Sequence, residues 1–174
     1  MKKIGLFYAP MGGSTEKIAK LVAAELSESK VDVFGIKSDE YLKIGEYDQL
    51  LLGIATVGKD TWNSNHPGSG WDKALAHINK LDFKGKTIAI FGLGNSITYP
   101  DHFVDAMGIL ANKLQQQGAN IVGQTPVEGY DFNESEAVID GEFMGLPIDE
   151  DNEPELSLDR VKNWIKLISN DMNI

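Results

Sequence analysis

The chain has 174 residues, 42% of them hydrophobic, which is enough for one well-buried core and too little for two. Acidic side chains outnumber basic ones 26 to 16, giving a formal net charge of −10; this argues against nucleic acid and anionic membranes and favours basic protein partners met by electrostatic steering. The absence of cysteine excludes disulfides, thiolate metal sites and Cys nucleophiles, so any redox chemistry must come from a cofactor.

In chain order, the first apolar run, Ile4-Gly5-Leu6-Phe7-Tyr8, reads as a strand. It breaks at Ala9-Pro10-Met11-Gly12-Gly13 and opens through Ser14-Thr15 into a helix with Ile18, Leu21, Val22 and Leu26 at helical spacing. A Gly-rich loop running into a helix N-terminus gathers backbone N–H groups and the positive dipole end on one point, and Ser14 and Thr15 add hydroxyl donors. GxxxxGK[ST] and GxGxxG are both absent, so a monophosphate fits better than a nucleoside triphosphate or a dinucleotide. Taken alone, the same run also describes a tight strand-to-helix turn with a hydroxyl cap.

Further strand-like runs follow at 31–34, 49–54, 87–92 and 120–123, and their continuous apolar character suits parallel strands buried on both faces. Helical patterns lie between them: a short one at 38–42, one from Trp71 through Leu75 and Ile78, one from about Phe103 to Gln117, and a last one with Leu158, Val161, Trp164, Ile165 and Ile168, which Ser157 is expected to N-cap. Trp71 and Trp164 are assigned to the core. Strands alternating with helices predict an α/β fold with an open, doubly wound parallel sheet, whose ligand sits beyond the carboxyl ends of the strands. The expectation is one domain over 1–174, cytoplasmic and monomeric; no run of about 18 apolar residues is present to span a bilayer, and no signal-peptide pattern follows Met1.

Three loops follow strand ends on the ligand side: 9–15, 55–70 and 93–102. The second is long and rich in Gly and Asn, and the third carries an aromatic, Tyr99, in a turn. A phosphate site, a long loop and an aromatic together describe a pocket for a flat ring with a phosphate tail. His66, His77 and His102 are scattered and form no metal site, and no residue reads as a strong acid–base or nucleophilic catalyst.

The chain resembles a flavodoxin of the long-chain type. The likeness rests on the first strand and Gly-rich loop running into Thr15-Glu16-Lys17-Ile18-Ala19, the run Leu50-Leu51-Leu52-Gly53, the run Phe91-Gly92-Leu93-Gly94-Asn95 with Tyr99-Pro100, and the late segments Glu128 to Phe132 and Asp149 to Asn152. The resemblance implies a five-stranded sheet in order 2-1-3-4-5 with helices on both faces. It implies a fifth strand split by an insertion into halves at Asn120–Gly123 and Phe143–Ile148. It also implies a non-covalently bound FMN and a low-potential single-electron carrier working between redox proteins with basic surfaces. Met11, Gly13, Ser14 and Thr15 match phosphate-loop positions, with Pro10 and Gly12 between them. Thr56, Val57 and Gly58 would flank the ring, Asn95 and Tyr99 would face its pyrimidine and stacking side, and Leu93, Gly94, His102, Phe103 and Asp151 complete the set. In the family the peptide at the Gly58 position is thought to turn over on reduction, so that the Val57 carbonyl accepts a hydrogen bond from flavin N5.

Two departures bear on binding. Flavodoxin phosphate loops usually carry Ser or Thr where Pro10 and Gly12 stand, and Val57 occupies a position often held by a stacking Trp. Trp62 either folds back over the flavin or covers apolar surface; His102 either sits near the ring or faces solvent. The alternatives to a carrier are an FMN-dependent NAD(P)H quinone reductase and a flavodoxin-fold binding module with weak or no FMN. A receiver domain is excluded, because the first and third strands end without its acidic residues.

Overall fold

The computed structural model describes residues 3–27, 30–56 and 70–174. Parallel strands β1 (Ile4–Tyr8), β2 (Val31–Gly35), β3 (Gln49–Ala55), β4 (Thr87–Leu93) and β5 (Asn120–Val122) line up in the order β2-β1-β3-β4-β5. The connecting helices are α1 (Ser14–Leu26), α2 (Trp71–Ile78), α3 (Asp105–Gln116) and α4 (Ser157–Ile168), with a 3-10 helix at Glu40–Glu46 where the short second helix was expected. α1 and α4 lie on one face of the sheet and α2, α3 and the 3-10 helix on the other.

Alternation along the strands feeds both faces. In β3, Leu50, Leu52 and Ile54 enter one core while Leu51 enters the other; in β4, Ile88 and Ile90 face one way and Ala89, Phe91 and Leu93 the other. Each of the large side chains among these, sealed from water, contributes about 1.5–3 kcal/mol, which is why the strands read as unbroken apolar runs. Trp71 and Trp164 are buried as expected, and each indole satisfies its N–H on a backbone carbonyl, Gly53 at 3.0 Å and Gly123 at 2.9 Å.

The split fifth strand is present, with a corrected boundary. After β5, the chain makes a small antiparallel sheet of β6 (Thr125–Pro126), β7 (Val138–Ile139) and β8 (Glu142–Phe143), in the order β6-β8-β7. The second half, β9, begins only at Leu146 and runs to Ile148, pairing with Phe91–Leu93 of β4 beyond the stretch that β5 takes. Phe143 therefore belongs to the insertion: its ring packs against Phe103, Tyr130 and Phe132 at centroid distances of 6.0, 5.2 and 5.2 Å. Gly108 of α3 makes that seat possible, since a Cβ there would lie 2.3 Å from the Glu136 carbonyl oxygen. Arg160 of α4 fastens the outer side, stacking 4.1 Å from the Tyr130 ring while donating to the Gly129 carbonyl at 3.0 Å and to Glu153 at 2.7 Å.

Two helix starts also differ from expectation. α3 begins at Asp105, because Phe103 is drawn into the aromatic cluster and Val104 holds a left-handed φ of 50°. Ser157 does not cap α4: Leu156 holds the cap position, while Ser157 is the first helical residue, buried with its hydroxyl unpartnered.

Candidate cofactor site

The carboxyl ends of β1, β3, β4 and β9 lie side by side and send out the loops that begin at Ala9, Thr56, Gly94 and Asp149. Backbone hydrogen bonds tie their roots together: Ala9 N–H to Gly53 O at 3.2 Å, Thr56 N–H to Leu93 O at 2.9 Å, and Gly94 N–H to Ile148 O at 3.0 Å.

In the first loop, Gly13 stands at the N-cap of α1 in extended conformation and no side chain caps the helix. Neither Gly12 nor Gly13 has any atom within 4 Å of where a Cβ would be, and Gly12 adopts φ +80°, a conformation L side chains disfavour. An open helix N-terminus with its first-turn amides uncapped and glycines before it suits a phosphate, so the donor set fits the group expected from the sequence. One donor is already engaged. The Gly12 N–H donates to the Glu16 carboxylate at 2.7 Å, and Lys20 pairs with the same carboxylate at 2.7 Å; these two contacts, Lys20 first, hold the Glu16 carboxyl below its ordinary value. Thr15 is buried and Met11 is exposed. A cavity of about 620 Å³ opens beside the loop, bounded by Pro10, Met11, Gly12, Glu16, Lys37 and Lys73 among others.

The third loop is built by its own side chains. Asn95 Oδ1 accepts the Thr98 N–H at 2.8 Å, its carbonyl accepts the Tyr99 N–H at 3.0 Å, and its amide nitrogen donates to Asp151 at 3.0 Å. Asn95 is thus an organiser of the turn that presents Tyr99, 37% exposed, and Ile97, 73% exposed. His102 pairs through Nδ1 with Asp105 at 3.0 Å; Asp105 is buried and also accepts the Glu136 N–H at 2.8 Å, which links this loop to the insertion. Thr56 Oγ1 accepts the Ala106 N–H at 3.0 Å, so this hydroxyl serves the start of α3.

Leu93 and Phe103 are buried, Leu93 at the end of β4 and Phe103 in the aromatic cluster with Phe132 and Phe143. Gly94 follows β4 directly and is close-packed, with a Cβ there 3.0 Å from Phe103 and Val104 atoms. Asp151 is exposed and reaches Asn95. Val57, Gly58 and Trp62, along with His66, lie outside the described residues. The chain brings Pro10 to Thr15, Thr56, Gly94 to His102 and Asp151 to one end of the sheet.

Sequence reasoning missed two carboxylates at that end. Asp149, 1% exposed, accepts hydrogen bonds from Ser96 and Asn152; Glu150, with its side chain 6% exposed, pairs with Lys17 of α1. Burial works against charge on Asp149, but the Asn152 amide and the Ser96 backbone and hydroxyl outweigh it and hold its carboxyl below the ordinary value. Both acids stood in a run that reads as one solvated acidic stretch, and only the pairing of β9 with β4 turns them inward. Among the described residues no group of His, Asp or Glu could hold a metal ion, and no helix is long and apolar enough to cross a membrane.

The family model described as Flavodoxin matches residues 6–164. The flavodoxin of Synechococcus elongatus is 40% identical over 175 residues, covering 100% of both chains. That of Synechocystis sp. is 43% identical over 169 residues, covering 97% of this chain and 96% of its own. The crystal structure of Fusobacterium nucleatum flavodoxin bound to flavin mononucleotide superposes with a TM-score of 0.87 at 28% identity, covering 99% of each chain.

Proposed function

The chain belongs to the flavodoxin family, and we propose that it is a low-potential single-electron carrier that holds FMN without a covalent bond across the ends of β1, β3 and β4. It carries electrons between redox proteins and is not an enzyme in its own right. When bound, FMN supplies the capacity to take up and release electrons one at a time.

In this reading the amides of Gly13, Ser14 and Thr15, with the hydroxyls of Ser14 and Thr15, receive the phosphate at the positive end of α1. Pro10 contributes no donor, and the Gly12 N–H is shared with Glu16. Each donor missing relative to a hydroxyl-rich loop lowers FMN affinity by about tenfold. Tyr99 covers one face of the ring and excludes water there, while the Asn95-to-Tyr99 backbone meets the pyrimidine edge and Asp151 the ribityl side. Val57 and Gly58 match the family's other ring-flanking positions. Leu93 and Phe103 back the site from the core, and His102 borders it.

A net charge of −10 and the carboxylates of Glu16, Asp149, Glu150 and Asp151 at one end of the sheet disfavour added negative charge on the ring, which lowers the potential of the second electron. The same charge steers partners with basic faces, so association weakens as salt rises.

The observation that carries the reading is the uncapped N-terminus of α1 standing across the strand ends from the Tyr99 turn. The test is the visible absorption spectrum of the purified protein before and after adding FMN, with riboflavin as the phosphate-free comparison. Flavin bands shifted on binding, tighter binding of FMN than riboflavin, and a two-step course on reductive titration are expected. No binding of either flavin would refute the assignment.

A further inference from the structure

On the reading that this end of the sheet holds FMN, we infer that Asp149 is a positioning residue for flavin binding, its buried carboxylate setting the Gly94-to-His102 loop in ring-receiving shape before the flavin arrives.

Asp149 is the first residue after β9 and is 1% exposed. Burying a carboxylate is costly unless its oxygens are fully satisfied. Here they are satisfied by neutral donors alone. Oδ2 accepts the Ser96 N–H and the Ser96 hydroxyl, both at 2.9 Å, and Oδ1 accepts the Asn152 N–H at 3.0 Å; the Asn152 side-chain amide bridges both oxygens at 3.0 and 2.8 Å. A carboxylate offers about four lone-pair sites, and these contacts use them up. Asp149 therefore has no acceptor left for a ligand and acts through the loops it ties.

Those loops are the ones the ring needs. Ser96 follows Asn95, whose side-chain oxygen accepts the Thr98 N–H at 2.8 Å and the Asn152 amide at 3.1 Å, and whose carbonyl accepts the Tyr99 N–H at 3.0 Å. The chain of contacts runs from the end of β9 through Ser96 and Asn95 to Tyr99. Gly94 N–H donates to Ile148 O at 3.0 Å, so β9 holds the loop at its root and Asp149 holds it one turn farther out. A wall fixed in advance spares the ordering that binding would otherwise impose, and this raises affinity without any new ligand contact.

The test uses the full-length apoprotein and its Asp149→Asn, Asp149→Ala and Ser96→Ala variants, with Val161→Ala of α4 as a buried apolar control outside this hydrogen-bond network. Dissociation constants for FMN and for riboflavin are measured by flavin fluorescence, and hydrogen exchange is followed at the Ser96 and Thr98 amides. Asp149→Asn should weaken both flavins by the same factor, about tenfold, because the loss is at the ring end. The Ser96 and Thr98 amides should exchange faster in the apoprotein. Val161→Ala should leave both constants within about twofold of wild type. If Asp149→Ala does not fold, Asp149→Asn and Ser96→Ala still decide the matter.

Wild-type constants in Asp149→Asn would overturn the inference. So would losses equalled by Val161→Ala, or a loss confined to FMN, which would locate the damage at the phosphate loop. A wild-type protein that binds neither flavin would overturn the FMN reading itself and this inference with it; the FMN reading survives whenever the wild type binds and only the variants fail to behave as stated.

Discussion

Replacing Gly108 by alanine separates two opposite expectations for one methyl group. Judged by helix propensity, Gly→Ala inside α3 should stabilise the chain by about 1 kcal/mol. The structure reverses the sign. The new Cβ would stand 2.3 Å from the Glu136 carbonyl oxygen and 2.5 Å from the Ala137 nitrogen and Cα, all backbone atoms that cannot rotate away. Reaching ordinary contact of about 3.5 Å requires the insertion to retreat by roughly 1 Å. The same retreat would stretch the Glu136 N–H bond to Asp105, now 2.8 Å, past the hydrogen-bond limit and leave a carboxylate that is 1% exposed short of a donor. Losing a hydrogen bond to a charged group removes about 1.5–3 kcal/mol, and overpacking adds about 1–3 kcal/mol. Against a propensity gain of about 1 kcal/mol, the expected net is a loss of about 1.5–5 kcal/mol, or roughly 3–20 °C in Tm for a domain of this size. Urea unfolding monitored by circular dichroism and calorimetric Tm would measure it. A variant as stable as wild type, or more so, would refute the packing argument and return the decision to propensity.

Arg160→Lys keeps a positive charge but loses the planar stack on Tyr130 and the forked donation to Gly129 and Glu153, so the insertion should become more open to limited proteolysis, with an overall loss of about 1–2 kcal/mol. Acid should destabilise the fold: Glu16, Asp32, Glu40 and Asp149 all have folded-state values below their unfolded ones, so the stability they contribute is full above about pH 5 and is lost as pH falls through the usual carboxyl range. A Tm that stayed flat from about pH 6 to about pH 3 would contradict this. In a spectrophotometric titration, Tyr47 and Tyr130 should ionise late, both being pushed up to about 12, Tyr47 by burial and its bond to Asp32 and Tyr130 chiefly by burial. Tyr47→Phe should remove one of those two late steps.

The sheet was legible because its signal is local and repeated. Runs such as 49–54 and 87–92 need both faces covered, and the structure extends each by only one residue. The glycine break before α1 was legible for the same reason, and the structure leaves that helix start without a side-chain cap. What stayed hidden depended on distant pairing. Phe143 looked like part of the fifth strand, yet it lies in the small sheet, where β8 pairs with β6, distant in sequence, and with β7 across an Asp140-Gly141 turn whose two residues both hold positive φ, a hairpin signal that the reading did not use. Ser157 had the residue type of a cap, but the preceding 3-10 turn, Pro154–Leu156, carries the chain into α4 one residue early. Asn95 was assigned to the ring by resemblance, while its side chain is taken up by Thr98, Asp151 and Asn152. Asp149 and Asp151 are alike in sequence surroundings and opposite in burial, a difference that the register of β9 on β4 decides.

That register also makes the outline of the molecule editable. β5 ends with Val122 opposite Ala89 and β9 starts with Leu146 opposite Phe91, so Ile90 is the one residue of β4 between the two halves. Everything from Gly123 to Gly145 leaves and re-enters the sheet at a single gap. A one-residue splice would restore an uninterrupted fifth strand, and the excised segment would take with it the covering over Phe103. The segment is thus attached to the sheet at one point while its Ala137, Phe143 and Met144 fill the core beneath it.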